Sequence, residues 1–513
     1  MKALGLVLAC AVCPVALAAP PAAPHLSVQA TDIRQLEFRY EPLPAVARYE
    51  LWFRTKPGAQ SVKYQERAAQ RAPFFRIGVP VHLLDWKQAQ YYVNACNRSG
   101  CTPSNVVGVD GEQLVAMGYI KPNAPTGHLF FGTNIALSAD CKTLAVLTAE
   151  NLSGRQRSAV VHVYRQTTAT SGWRREARLL PTTVQANTAS FFSGDSIALS
   201  GDGNLLVFGN WLESLPGPFT LEGNLNGAVY LFRRTGSTWT LAQKLMTEPH
   251  DGDYFGSHLK VDDAGRTLVV SHRFPTERFE PGTLEVYRDP VDASDQFVHS
   301  ITLRVPAEED RFCDGGIALS GDGQTLLRGC RAPGYMQVFK APGFNESARV
   351  PGVADGLDIT YDGSVFLIAT GLQTFAYRLG PSGWVLDADL TAASGIINVS
   401  ERKLAISRDG KIAALANNRD FTAGLGPIFP PYLTAETPSG GVTVFERKSS
   451  GWVLRRWIKP GSTHDQWFGH SVALGNNGRI LAVGAPLDPS GASGIDGDRD
   501  DASMPERGAV WLY

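Results

Sequence analysis

The chain has 513 residues with 52 Gly and 32 Pro, only 19% charged residues, and 48 Lys+Arg against 49 Asp+Glu, for a net charge of -1. That balance excludes the basic footprint of a nucleic-acid binder, and 43% hydrophobic with 10% aromatic residues excludes a disordered chain. Abundant Gly and Pro with low charge suit many short strands joined by turns.

The chain opens MKALGLVLACAVCPVALA, residues 1–18. Lys2 precedes an apolar run from Ala3 to Val15, and Ala16-Leu17-Ala18 is an A-x-A cleavage site. This pattern predicts a secretory signal peptide cleaved near Ala18, and hence a secreted or periplasmic protein. No other segment is long and apolar enough to span a bilayer, so the mature chain is expected without a membrane span, and as a monomer. An oxidising compartment makes paired cysteines disulfide candidates. Cys96 and Cys101 flank a hairpin tip at Ser99-Gly100, and Cys313 and Cys330 are symmetric about the turn at Gly321-Asp322. Cys141 is left without a partner.

Residues 25–109 form one composition block. Alternation in LEFRY and YELWF argues for half-buried strands. The block resembles a fibronectin type III domain through Tyr40 and Pro42, the run Tyr49-Glu50-Leu51-Trp52-Phe53, and Tyr92 to Asn97 followed by Gly100-Cys101. The resemblance implies a seven-strand β-sandwich serving as a spacer or a binding module.

From residue 113 to 513 the chain repeats itself. FFGTNIALSADCKTLAVL from Phe130 is followed by related segments from Phe191, Tyr254, Arg311, Val353, Ile397 and Trp467. Each is an alternating strand, a Gly/Asp/Asn turn and a second apolar strand. Third strands follow at 160–164, 228–232, 283–287, 335–339, 374–379, 442–445 and 509–513, and fourth strands often open on Trp, as at Trp173, Trp239, Trp384 and Trp452. Anchors Leu137, Leu199, Val261, Leu319, Ile359, Ile406 and Leu474 recur 40 to 68 residues apart. Four strands per repeat at this period predict propeller blades, seven in number. The fold class is therefore all-β, a seven-bladed β-propeller preceded by a small sandwich. The last blade lacks a fourth strand. The Ile-Lys-Pro at 120–122 matches 458–460 at the end of the sixth blade's fourth strand. Residues 114–120 are therefore expected to supply the missing outer strand and remove an exposed edge.

These units resemble FG-GAP repeats, the unit of the integrin alpha-chain propeller, and in particular secreted bacterial propellers of that type. Phe131-Gly132, Phe255-Gly256 and Phe468-Gly469 carry the "FG", and Val483-Gly484-Ala485-Pro486 the "GAP". The resemblance implies extracellular binding or adhesion without chemistry. The family's calcium loops need several carboxylates at alternate positions. The turns here hold one or two acids, so Asp202, Asp322, Asp362 and Asp409 read as turn residues and the integrin sites are not carried over. The one candidate for Ca²⁺ is the last blade's loop, where Asp496, Asp498 and Asp500 alternate. The competing reading is a solvated acidic loop paired with Arg499 and Arg507. No other cofactor is expected.

No G-x-S-x-G elbow, H-E-x-x-H or phosphate loop is present, so no enzyme is expected. His258 and His470 follow the FG of their blades and are expected at the channel or a blade contact. The second-to-third strand loops are longest in blades two, six and seven, and insertions often mark a binding face. Trp211 and Phe219 in blade two, and Phe421, Phe429 and Tyr432 in blade six, are the candidate ligand-binding residues. Their competing role is to cover the blade tops. The expected function is presentation of this face to an extracellular protein or glycan. The alternatives are a hydrolase or lyase at the channel mouth, acting on extracellular polysaccharide or peptide, and a structural subunit of a surface complex.

Overall fold

In a computed structural model, the residues described are 19–32, 35–79, 88–109, 118–123, 128–151, 157–166, 172–180, 197–211, 213, 226–247, 254–272, 282–289, 296–304, 313, 315–330, 334–352, 354, 356–370, 373–391, 402–420, 439–460, 466–495 and 502–513. Two compact units divide the chain near residue 111. In the first, Leu26–Asp32, Gln35–Tyr40 and Phe74–Gly78 make one sheet. Val62–Ala68, Arg48–Arg54, Gln90–Asn97 and Gly100–Pro103 make another, with Val107–Gly108 on its edge. Alternation buries one face of each. Phe38 meets Tyr91 at 4.7 Å and Tyr40 meets Tyr49 at 4.1 Å between ring centroids, joining the two sheets through an aromatic core. Cys96 and Cys101 are direct cross-strand partners at disulfide distance, 2.03 Å between sulfurs.

In the second unit, seven antiparallel sheets follow one another among the described residues. Their inner strands are Ile135–Leu137, Ile197–Leu199, Leu259–Val261, Ile317–Leu319, Gly356–Ile359, Arg402–Ile406 and Ser471–Leu474. Each pairs with a largely buried second strand, such as Leu205–Asn210 or Ile412–Asn417, then a third and a fourth. Successive inner strands touch, and the last touches the first, so the sheets close on themselves. This is a β-propeller. Clusters such as Leu206, Phe208 and Tyr230 against Leu147, Val161 and Val163 fill the space between neighbouring sheets. The first sheet also gains a short fifth strand, His128–Leu129, which the repeat pattern did not reveal.

Five of the seven inner turns share one chemistry. Ser138, Ser200, Ser320, Thr360 and Ser407 each accept the N–H five residues on. Each also donates to the Asp two residues on, Asp140, Asp202, Asp322, Asp362 or Asp409. Those acids are occupied as turn residues. Next comes Gly with φ between 65° and 69° in six turns (Gly203, Gly265, Gly323, Gly363, Gly410, Gly478). In the first sheet Cys141 holds that left-handed position at φ 60°.

Backbone bonds then link turn to turn. Asp140 N–H donates to Gly201, Gly201 to Asp263, Asp263 to Gly321, Asp322 to Tyr361, Tyr361 to Arg408, Asp409 to Asn476, and Asn476 to Ala139, at 2.9–3.4 Å. The circuit closes on the sheet where it began.

The sheet order places Tyr119–Ile120 outside Ala509–Leu512, with Ile120 opposite Val510 and Tyr119 opposite Trp511. Lys121 is fully buried here and meets the Asp488 carboxylate at 2.8 Å, as does the Tyr119 hydroxyl. Removing one partner of a buried pair strands the other charge, at a cost of about 3–5 kcal/mol. Lys121→Met should therefore lower the unfolding midpoint of the ring by a stability loss of that order. Lys121→Met combined with Asp488→Leu should recover part of the loss in a double-mutant cycle followed by denaturant unfolding.

The turn acids give a pH signature. Burial pushes the Asp202 and Asp362 carboxyls up, but hydrogen bonds to Ser200 and Asn204, and to Ser364 and Thr360, outweigh it and hold both below the usual value. A carboxylate lowered on folding stabilises above its unfolded pKa of about 3.9 and loses that contribution as pH falls through the folded value. Asp202→Asn with Asp362→Asn should lower stability at pH 7 and flatten the acid limb below about pH 4, read by thermal unfolding at a series of pH values.

Candidate functional site

The inner strands surround a central cavity of about 180 Å³. The residue before the last of each inner strand is Ala136, Ala198, Ala318, Ala405 or Ala473 in five sheets, but Lys260 in the third and Asp358 in the fifth, and all of these except Ala318 line the cavity. The charged Lys260 and Asp358 are departures from the alanine of the repeat. Asp358 accepts the Ile406 N–H of the neighbouring sheet at 2.7 Å and its own chain's Ile359 N–H at 3.0 Å. Burial pushes its carboxyl up, opposed by Lys260, the Ile406 N–H and Arg408. The acid therefore clamps two inner strands together, whatever else it does.

The two ends of the cavity differ. At the turn end the backbone circuit narrows the ring, and Arg408 of the sixth sheet meets Asp263 of the third across it at 2.6 Å. Burial raises the Asp263 carboxyl, with Arg408 opposing and Asp262 and Asp322 adding to the rise. That end is sealed.

Among the described residues nothing closes the opposite, open end in this way, and the second-to-third strand loops leave from it. His258 lines the cavity there. His470 turns away, buried against Asn418 at 3.2 Å and stacked on Trp467, so the two histidines have different roles. Burial, then the nearby Lys403 charge, pushes His470 down to about 4. The FG Phe residues are all buried. Phe131, Phe255 and Phe468 form parallel bridges with Gly508, Gly227 and Gly440 of the preceding sheet, locking sheet to sheet at this level. In the fourth sheet Cys313 occupies the equivalent position and lies at disulfide distance from Cys330, 1.92 Å between sulfurs.

Each of the three longest loops leaves from a buried acid paired with a lysine. Glu213 meets Lys244 at 2.5 Å and the Tyr230 hydroxyl at 2.6 Å. Asp420 meets Lys459 at 3.3 Å and the Trp457 indole N–H at 3.3 Å. Asp488 meets Lys121 at 2.8 Å. Burial lowers the Lys459 pKa, with Asp420 opposing. Composition and period do not single these acids out. The only sequence signal was the match between 120–122 and 458–460, which puts Lys121 and Lys459 at equivalent places.

Of the candidate ligand-binding residues, Trp211 is half-buried at the open end, with its ring 5.8 Å from Tyr254. Phe219, Phe421, Phe429 and Tyr432 lie outside the described residues, as do Asp496, Asp498 and Asp500 and the leader 1–18. Among the described residues the one group with metal-ligand spacing is Glu50, Cys96 and Cys101, whose sulfurs are already at disulfide distance. No helix among them is long and apolar enough to cross a membrane.

No known family pattern matches the chain, and no curated protein matches it. Among solved structures, the β-propeller domain of Cps50 (Swd1) from Myceliophteria thermophila is 13% identical, with 75% of this chain and 96% of that one covered at a TM-score of 0.44. Kuenenia stuttgartiensis hydrazine synthase is 12% identical over 71% and 94%, at 0.42. A putative 6-phosphogluconolactonase from Bacteroides fragilis is 10% identical over 82% and 97%, at 0.39. Scores this low carry no function. The propeller assignment rests on the sheet order and the closed ring of inner strands.

Asp358→Ala leaves the Ile406 N–H without its acceptor, and an unsatisfied buried donor costs about 1–3 kcal/mol. Chemical denaturation should show a loss of that size, with Asp358→Asn closer to the parent because its amide oxygen still accepts one bond.

Proposed function

We propose that the protein is a secreted or periplasmic binding protein, acting as a monomer without chemistry of its own. Its ring is a seven-bladed FG-GAP-type propeller closed by the N-terminal segment, and its first unit is a fibronectin type III-like spacer. The ligand is an extracellular protein or glycan held at the open end. The observation that carries this reading is the asymmetry of the ring. One end is sealed by backbone bonds and the Arg408–Asp263 pair. The other carries the three longest loops, each leaving from a buried acid–lysine pair. Rigid bases under long loops cut the ordering cost of binding. Both Asp358 oxygens serve backbone amides, which favours binding over acid–base catalysis in the channel.

Shortening residues 421–438 while keeping Asp420 and Ser439 spares the buried pair with Lys459. The shortened protein should fold, with near-parent thermal unfolding, and lose at least tenfold in affinity for an extracellular partner found by a glycan and protein screen. Parent affinity in the folded variant would remove the sixth loop from the site. Turnover of a polysaccharide or peptide abolished by Asp358→Asn would replace the binding reading with the enzymatic one.

A further inference from the structure

We propose that four half-buried aromatic side chains on the open end, Trp467, Phe130, Trp211 and Tyr254, form a contact surface for an extended, uncharged polysaccharide. This deepens the reading of that end as the binding face and rests on it.

The first observation is backbone conformation. Phe130, Tyr254 and Trp467 each stand directly before a fully buried FG Phe, and each has a left-handed backbone, at φ 58°, 48° and 51°. Side chains other than Gly, Asn and Asp seldom adopt that region. Elsewhere the same chain meets the need with Gly, as in six of its seven inner turns. An aromatic ring kept three times where Gly would be less strained points to a use for the ring, since such outliers persist where function requires them.

The second observation is placement. The inner strands of the seventh, first, second and third sheets are consecutive neighbours, so their aromatics follow one arc of the mouth. All four rings are half-buried, whereas Phe131, Phe255 and Phe468 beside them have no exposure. The half-buried set is also held in position. Trp467 lies 5.6 Å from the His470 ring at 29°, with the Arg419 guanidinium 6.0 Å from its centre, and Trp211 leans on Tyr254 at 44°.

The arrangement selects the ligand. Aromatic hot spots for a folded protein cluster at the centre of a patch. Here the rings are strung along a rim, which suits a chain that repeats an apolar face at intervals. Sugar rings offer such faces to aromatics, and their hydroxyls suit polar neighbours such as Arg419. A net charge of -1 gives no field to attract a polyanion.

The test is affinity electrophoresis of the mature chain through gels containing hydroxyethyl cellulose, xylan, laminarin or glycol chitin. Retardation by at least one is expected. Trp467→Gly and Tyr254→Gly should each weaken that binding at least tenfold while leaving the thermal midpoint equal or higher, because Gly relieves the left-handed backbone. No retardation in any gel overturns the proposal, even if a protein partner is found for the same face. Unchanged binding in both variants overturns it, as does lost binding with a lowered midpoint, which would make the rings local packing. Shortening 421–438 separates the two readings. Binding kept there but lost in the ring variants supports the arc without the sixth loop. The reverse pattern removes the arc and leaves the binding face standing.

Discussion

The circuit of seven backbone hydrogen bonds between inner turns is the constraint on which the ring depends. Each bond requires one turn's N–H to reach the next turn's carbonyl, so the seven turns must present the same geometry at the same height. That requirement explains the recurring Ser-x-Asp-Gly chemistry. The hydroxyl and carboxylate bind the turn's own amides, which frees one N–H and one carbonyl to face the neighbour. Close approach then restricts side chains. A Cβ on Gly203 would come 2.3 Å from the Thr143 hydroxyl oxygen, so glycine is needed for space as well as for φ. At the junction that closes the ring, Cys141 replaces Gly at that position, and its sulfur faces Gly475 of the last sheet. Here the fit is reversed, with the glycine on the opposite side making room for the side chain.

Sealing one end has a consequence for the other. With the inner turns committed to one another, length variation is tolerated mainly where the second-to-third loops leave the opposite end. A long loop must still leave from a fixed point, or its motion would pull apart the strands that carry it. Buried pairs such as Asp420–Lys459 supply that point. Such pairs contribute little net stability over an apolar contact, but they strongly penalise displacement of either partner. They serve positional accuracy more than stability, which suits a face whose contacts must be held in place.

Much of this architecture was legible in the sequence because it repeats. Alternation, turn residues and a recurring Trp located the inner, third and fourth strands, and Ile-Lys-Pro at 120–122 marked the segment that pairs with Ala509–Leu512. What stayed hidden follows from the same cause. Glu213, Asp420 and Asp488 sit at loop starts of different length and composition, so no register connects them. Their lysine partners are 31, 39 and 367 residues distant. The clamp made by Asp358 was equally invisible, because an acid among four alternating residues looks like any solvent-facing position. His258 and His470 both follow an FG but stand two residues and one residue after its Gly, and this one-residue offset sends them to different sides.

The FG motif shows how a repeat can carry structure and recognition in adjacent residues. Its Phe is buried and bridges to the preceding sheet, so it is fixed by packing. The residue before it is only half-buried and has a left-handed backbone. A propeller can therefore vary that one position from sheet to sheet without disturbing its joints. The strain it tolerates there is borne by the parallel bridge next door, which holds the backbone in place. Three left-handed residues thus fall beside parallel bridges of the ring, where a contact surface held in place loses little when a ligand orders it.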